Sequence, residues 1–364
     1  MRSWVEISSS RLGHNVSVLR SYLAGEGRSP HIIAVVKADG YGHGLELVVP
    51  VLYQAGLRHF AVTHLDEAGR LVEALAAEDD VLILVLDGVQ EGREEDFRRL
   101  GATAAVFDSR PHPKGIPAHL KIDTGMGRMG VRPEQVPAHA ARLGDDLAGL
   151  YSHLHSPQED PQATRLQIAE FLRCTDPLVQ ENKGIMRHLS SSAGLPYPAS
   201  RLDAVRVGLA LYGIDPGGAI RGLLPVLSWK SRILTVKDVP AGSTVGYGAT
   251  YRCPRDTRLG IIPAGYADGY NRRLSNAAHV ELHPDQHPSS PGPLLAPVIG
   301  RVSMDLLTID LTDHPEISPG TVVTLLSNTP SSPCSARSLA VLLHTVPYEV
   351  LTSIGTRIKR EMGA

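Results

Sequence analysis

The sequence predicts an α/β protein: a TIM-like (β/α)8 barrel over residues 1–222, followed by a mostly β domain over residues 223–364. Three observations carry this. Short apolar, β-rich segments recur at 31–36, 59–63, 81–86, 103–107, 119–123, 147–152, 185–189 and 204–207, which makes eight candidate strands. Most are separated by stretches of helical period, such as 45–55, 66–77 and 163–172, the crossovers that parallel strands need. Beyond residue 222 the strands follow one another without intervening helices, at 229–236, 257–262, 296–311 and 321–326. A doubly wound open sheet is the competing topology, but the first strand-helix turn lacks the Gly-x-Gly-x-x-Gly phosphate signature.

The first strand runs into the turn Ala38-Asp39-Gly40-Tyr41-Gly42-His43-Gly44 and delivers Lys37 to it. Taken alone, this is a lysine at the solvent end of a strand. On a rigid strand end beside glycines that admit a ligand close to the backbone, it can also form a Schiff base with a carbonyl cofactor, with the Tyr41 hydroxyl near an anion. The crossover at 108–117 is abnormal, because Pro111, Pro113 and Pro117 fall in a segment barely long enough to return to the other end of the sheet. One outer helix is therefore expected to be missing there, leaving the next strand covered by loop or by a partner subunit. In the second domain, 335–344 reads as a helix capped by Ser335, and the proline- and serine-rich stretch 284–297 reads as exposed and mobile.

Composition limits the chemistry. A chain of 364 residues is long enough for two domains and a large core, and its 42% hydrophobic content and formal charge of -2 give no basic excess for a nucleic-acid partner. Residues 1–10 hold no apolar core of signal-peptide length, and the longest aliphatic run, 81–86, is too short to cross a bilayer, so cytosolic residence is the default and no membrane partner is expected. Cys174, Cys253 and Cys334 are odd in number and widely separated, as for reduced structural thiols rather than a metal site.

In a closed barrel the loops after the carboxyl-terminal strand ends build the site. Here those ends carry Lys37, then Lys121 to Arg128, His153 and His155, Ser190 to Ser192, and Arg206 with Gly208. A lysine, two arginines, hydroxyls and backbone amides suit a phosphorylated carbonyl cofactor and a carboxylate substrate. His153 and His155 also invite a His-x-His metal reading, but no carboxylate or third ligand is near in sequence, and no metal is expected.

Five motifs in order then resemble the bacterial alanine racemases, fold-type III pyridoxal-phosphate enzymes. They are Ala34-Val-Val-Lys37-Ala-Asp-Gly-Tyr41-Gly-His-Gly44, His119-Leu-Lys-Ile-Asp-Thr-Gly-Met-Gly-Arg128-Met-Gly130, Gly246-Tyr247-Gly-Ala-Thr-Tyr251, Gly265-Tyr266-Ala-Asp-Gly269 and Gly300-Arg-Val-Ser-Met304-Asp305. The resemblance implies a cytoplasmic homodimeric isomerase that supplies D-alanine for peptidoglycan. It implies pyridoxal 5'-phosphate on Lys37, and Lys37 and Tyr247 as the two acid/base groups, Tyr247 coming from the opposite subunit. Without the resemblance Tyr247 reads as a packed strand tyrosine, His153 as a satisfied core histidine and Met304 as core filler.

The same resemblance assigns Arg206 to the pyridine nitrogen, with His153 beside it. It assigns Tyr41, Ser192 and the backbone at Gly208 and Leu209 to the phosphate, and Arg128 to the cofactor and the substrate carboxylate. Tyr266 and Met304 close over the substrate, and Lys121 matches a lysine that is often carbamylated. One departure is Thr356, where the family commonly has a tyrosine near the phosphate. It raises the alternative of a broader amino-acid racemase that turns over serine. A non-catalytic pyridoxal-phosphate-binding protein is the alternative from another class.

Overall fold

A computed structural model describes residues 2–25, 29–76, 80–283 and 294–363. It divides into two compact units, one of Leu12–Leu223 and one of Met1–Arg11 with Leu224–Ala364. Strand β1 (Ser3–Ser8) opens the chain and is followed by helix α1 (Ser9–Leu23). Eight parallel strands then close into a barrel: β2 (His31–Val35), β3 (His59–Val62), β4 (Leu82–Val85), β5 (Thr103–Val106), β6 (Ala118–Lys121), β7 (Leu147–Tyr151), β8 (Met186–Ser191) and β9 (Ala204–Val207). Closure is made by β2 against β9, with Ile33 opposite Arg206 and Ala34 opposite Val207. All eight sit on the apolar runs read from the sequence, because a strand covered on both faces must be apolar nearly throughout.

The crossovers are α2 (Leu45–Gln54), α3 (Leu65–Ala74), α4 (Glu94–Arg99), α5 (Val136–Leu143) and α6 (Pro161–Glu181). Between β5 and β6 there is no helix. Arg142 at the end of α5 donates to the carbonyls of Ser109 and Asp108, and the Gly115 amide donates to Asp146, so the proline-rich segment lies as a tethered loop. All four residues of β6 are nevertheless buried within the single chain. Ala118 and Leu120 lie in one buried cluster with Val136, Ala140 and Leu143 of α5 and Ile168 and Phe171 of α6, so neighbouring helices contribute to their cover.

The second unit carries β10 (Leu227–Arg232), β11 (Thr235–Val239), β12 (Thr244–Val245), β13 (Tyr251–Arg252), β14 (Thr257–Ile262), β15 (His279–His283), β16 (Leu294–Pro297), β17 (Leu307–Asp310) and β18 (Val322–Leu326). Helices α7 (Ala336–Leu343) and α8 (Pro347–Thr352) and strand β19 (Lys359–Gly363) complete it. Ser335 caps α7 by accepting the Ser338 amide at 3.2 Å. Most of 284–297 lies outside the described residues, which resume at β16.

Three expectations change here. Residues 3–8, which the sequence boundaries 1–222 include with the barrel, instead form β1 in the six-stranded sheet β16-β15-β18-β10-β1-β19, antiparallel to β10 and parallel to β19. The stretch 229–236 is two strands in two sheets: the Ile233 amide donates to Thr321 and the Leu234 amide to Ile261, so the chain changes sheet between adjacent residues. The stretch 296–311 folds back on itself, Val298 bridging Ile309, and encloses the turn that holds Arg301 to Met304.

Candidate active site

Lys37 follows β2 and is half-buried. Beyond it the chain makes a left-handed turn: Ala38 (φ 52, ψ 51), Asp39 (φ 55, ψ 48), Gly40 (φ 61, ψ 41) and Tyr41 (φ 56). Only Gly40 adopts this region freely; a Cβ there would also lie 2.9 Å from Val48. At about 1–2 kcal/mol for each of the three other residues, the turn holds roughly 3–6 kcal/mol of backbone strain. Amide bonds from Gly40 to Val36, Gly42 to Ala38 and Gly44 to Asp39 close it. Burial, then the charge of Arg128, keep the Lys37 amine below the ordinary lysine range, with Glu67 opposing and Arg206 adding to the effect.

Arg206 on β9 is buried, and no carboxylate is among its partners in the described residues. Its two terminal nitrogens make all five of its bonds: to the Nδ1 atoms of His188 (2.8 Å) and His153 (3.1 Å) and to the carbonyls of His188, Ser152 and Leu189. Its Nε–H has no partner among the described residues. Burial lowers its pKa to about 10, still cationic at neutral pH. Because a guanidinium only donates, both histidines must accept at Nδ1 and carry their proton on Nε2. His188 Nε2 therefore donates to His119 Nδ1 at 2.8 Å, which places the His119 proton on Nε2, a buried atom without a partner among the described residues. Burial first and Arg206 second depress His119 and His153 to about 3, so both are neutral.

Strand register explains this assembly. His119 faces Gly149, and Lys121 faces Tyr151, which faces His188 in turn. The Tyr151 ring stacks on His188 at 4.9 Å with the Lys121 ammonium 5.9 Å from its centroid. Gly149 is needed because a Cβ there would come 2.7 Å from three atoms of the His119 ring.

Ser192 follows β8, is buried, and accepts the amides of Gly208 (3.2 Å) and Ala210 (3.3 Å) at its Oγ. Its own O–H is thereby left to donate elsewhere. A Cβ at residue 208 would overlap the Tyr41 hydroxyl, so glycine there sets the close approach between the backbone after β9 and the tyrosine of the lysine turn. Leu209 follows, buried. Serine hydroxyl, tyrosine hydroxyl and backbone thus lie close together.

Arg128 lies exposed on the loop after β6, which is shut at its base by the Asp123–Val131 and Val131–Lys121 backbone bonds. Asp123 accepts the amides of Gly125 and Gly127, shaping that loop. Lys121 is buried, and burial followed by Arg128 and Arg206 lowers its amine to about 8, against the opposing charge of Asp123. His155 is exposed and bonded to Ser156 Oγ.

Tyr247, Tyr266 and Met304 belong to the other unit. They are exposed, Tyr247 to 71%. Within that unit the Tyr266 and Ala267 amides donate to the carbonyls of Ser303 and Met304, and Arg357 pairs with Asp268 (2.8 Å) and Asp305 (2.6 Å). The turns carrying Tyr266 and Met304 are therefore tied to each other. Thr356, beside Arg357, is exposed.

Sequence reasoning passed over His188, His119, Glu67 and Arg70. A signal existed for the first two: His188 and Ser190 share one face of a strand, as do His119 and Lys121, and polar residues on the inward face of a barrel strand need a reason.

A closed parallel barrel with a lysine at the end of its first strand, an unpartnered guanidinium N–H on its last and a hydroxyl-lined backbone cradle defines an enzyme of amine and anion chemistry. The family models described as alanine racemase, N-terminal domain, and alanine racemase, C-terminal domain, match residues 7–216 and 226–362. The chain is 35% identical to an alanine racemase of Thermodesulfovibrio yellowstonii over 98% of its own length and 96% of the relative's. It is 33% identical to one of Methylacidiphilum infernorum over 99% and 92%. The crystal structure of alanine racemase from Bartonella henselae with covalently bound pyridoxal phosphate superposes with a TM-score of 0.84 at 26% identity, covering 100% of both chains. The chain belongs to the alanine racemase family.

Proposed function

We propose that the protein interconverts L-alanine and D-alanine with pyridoxal 5'-phosphate bound at Lys37, as a homodimer in which each site draws on both chains. The observation that carries this reading is a barrel end where a lysine amine of lowered pKa meets Arg206, whose Nε–H is left to donate. The donor set fits the cofactor: an amine for its aldehyde, a guanidinium N–H for its ring nitrogen, and Ser192, Tyr41, Gly208 and Leu209 for its phosphate. When bound, the cofactor supplies a carbonyl that takes up an amino group and a conjugated ring that acidifies the α-hydrogen.

The chain's own residues do the rest. Racemisation removes a proton from one face of the α-carbon and returns one to the other, so two groups are required. Lys37 takes one face, its neutral amine favoured by burial and Arg128. Tyr247 of the partner subunit takes the other; its exposure on a single chain supports a role toward a second one. Arg206 keeps its proton and so leaves the ring nitrogen unprotonated, which limits electron withdrawal and restrains side reactions. His153, held neutral, orients Arg206. Arg128, with Tyr266 and Met304 of the partner subunit, holds the substrate carboxylate and closes the site. Lys121 is carbamylated in this reading: an amine lowered to about 8 is partly neutral, hence reactive, and the nearby Arg128, Arg206 and Lys37 favour an added negative charge.

The product serves peptidoglycan synthesis in the cytosol of a bacterial host. Among the described residues no helix is long and apolar enough to cross a membrane, and the three cysteines are buried and unpaired. Thr356, small and exposed, favours a second reading in which serine is also turned over. The direct test is borohydride reduction with peptide mapping: an absorbance band near about 420 nm should vanish and leave its label on Lys37. Tyr247→Phe should abolish racemisation with cofactor binding intact, whereas a protein that only stores cofactor would show no such loss. Absence of serine racemisation at saturating serine removes the second reading.

A further inference from the structure

The left-handed turn that presents Lys37 is held from outside by helix α3. Glu67 and Arg70 lie three residues apart, hence on one face of that helix. The Ala38 amide, next to the lysine, donates to Glu67 Oε1 at 2.7 Å. The other oxygen, Oε2, accepts the amides of Thr63 (2.8 Å) and His64 (3.4 Å). Capping α3 requires only the bonds to Oε2. The bond at Oε1 links the end of β2 to the end of β3 and fixes the one amide that leads from Lys37 into the strained turn.

Arg70 takes the next residue. Its Nη2 donates to Asp39 Oδ1 at 2.5 Å, while Nε and Nη2 donate to Glu46 on α2 at 2.6 and 2.8 Å. Asp39 Oδ1 also accepts the Leu45 amide, the first of α2, at 3.1 Å. The turn is therefore clamped at two successive residues, and its exit is tied to the helix that follows. Glu67 is also the carboxylate whose charge acts on the Lys37 amine, against the two cations Arg128 and Arg206 that face it; Lys121 and His153 feel the lysine in return.

We propose that Glu67 and Arg70 are positioning residues for Lys37: they hold a backbone that three L-residues would otherwise leave, and so fix where the lysine amine stands at the barrel end. The inference rests on Lys37 being the cofactor lysine. Neither residue needs to touch substrate or cofactor.

Amide hydrogen exchange on the full-length protein as purified tests this without reference to activity. In Glu67→Ala and Arg70→Ala, peptides spanning 36–44 should exchange about tenfold faster or more, with the barrel strands unchanged. Glu67→Gln keeps one accepting oxygen, enough for the Ala38 amide or for the Thr63 and His64 amides but not for both, and should restore only part of that protection. It removes the anion, however, so the pH midpoint for labelling Lys37 with an amine reagent in cofactor-free protein should fall. Unchanged exchange at 36–44 in both alanine variants would overturn the proposal, as would faster exchange throughout the barrel, which would make the pair ordinary supports of the fold. A borohydride label found on another lysine would instead sink the reading of Lys37, whatever the exchange result.

Discussion

Gly149→Ala isolates the steric basis of the histidine string behind Arg206. The new methyl would stand 2.7 Å from three atoms of the His119 ring, and ordinary contact at 3.4 Å requires about 0.7 Å of movement. The ring is fully buried and held to His188 at 2.8 Å, so moving it away stretches or breaks that bond. Overpacking costs about 1–3 kcal/mol. Gly149 has no positive φ, so alanine returns about 0.4–1 kcal/mol through the unfolded chain. A net loss centred on about 1 kcal/mol and reaching about 2.5 follows, or a melting temperature lower by roughly 2–4 °C for each kcal/mol. Denaturation of wild type, Gly149→Ala, His119→Ala and the double variant measures it. Removing the ring should relieve the clash, so the double variant should be more stable than additivity predicts by about 1 kcal/mol or more. Strict additivity, or a Gly149→Ala protein as stable as wild type, would refute the argument and with it the tight seating of His119.

Acid should destabilise the fold early. His119, His153 and His188 have folded pKa values depressed below the ordinary 6.5, the first two to about 3, so between those limits the unfolded chain binds protons that the folded chain does not. Stability should therefore be full above about pH 6.5 and fall as pH drops toward 3, with His119→Gln flattening the slope in melts across that range. Gly208→Ala should weaken cofactor retention about tenfold or more by forcing the Tyr41 hydroxyl out of place, read by dialysis and absorbance. If Lys121 is carbamylated, activity should fall in buffer freed of carbon dioxide and return with bicarbonate, and Lys121→Ala should be low and unresponsive.

The eight barrel strands were legible because each is apolar enough to be buried on both faces, a property of the local chain. Lys37, Arg206, Ser192 and Gly208 were legible because a parallel barrel puts its strand ends together. The string from Arg206 through His188 to His119 was not, since residues 119, 188 and 206 meet only when register aligns β6, β7, β8 and β9. Nor was the left-handed turn after Lys37, in which only Gly40 announces its conformation and Ala38 and Asp39 are held by Glu67 and Arg70.

By itself the sequence determined the strand and helix alternation, the loss of one outer helix through three prolines, and a lysine at the first strand end. Tertiary structure decided that β1 lies in one sheet with β10 and β19, that the chain changes sheet between Ile233 and Leu234, and that Glu67 reaches Ala38. The reason is one of range. Periodicity and backbone preference act between neighbours in the chain, whereas a hydrogen-bond partner is chosen by which distant groups closure of the fold brings within 3 Å or so.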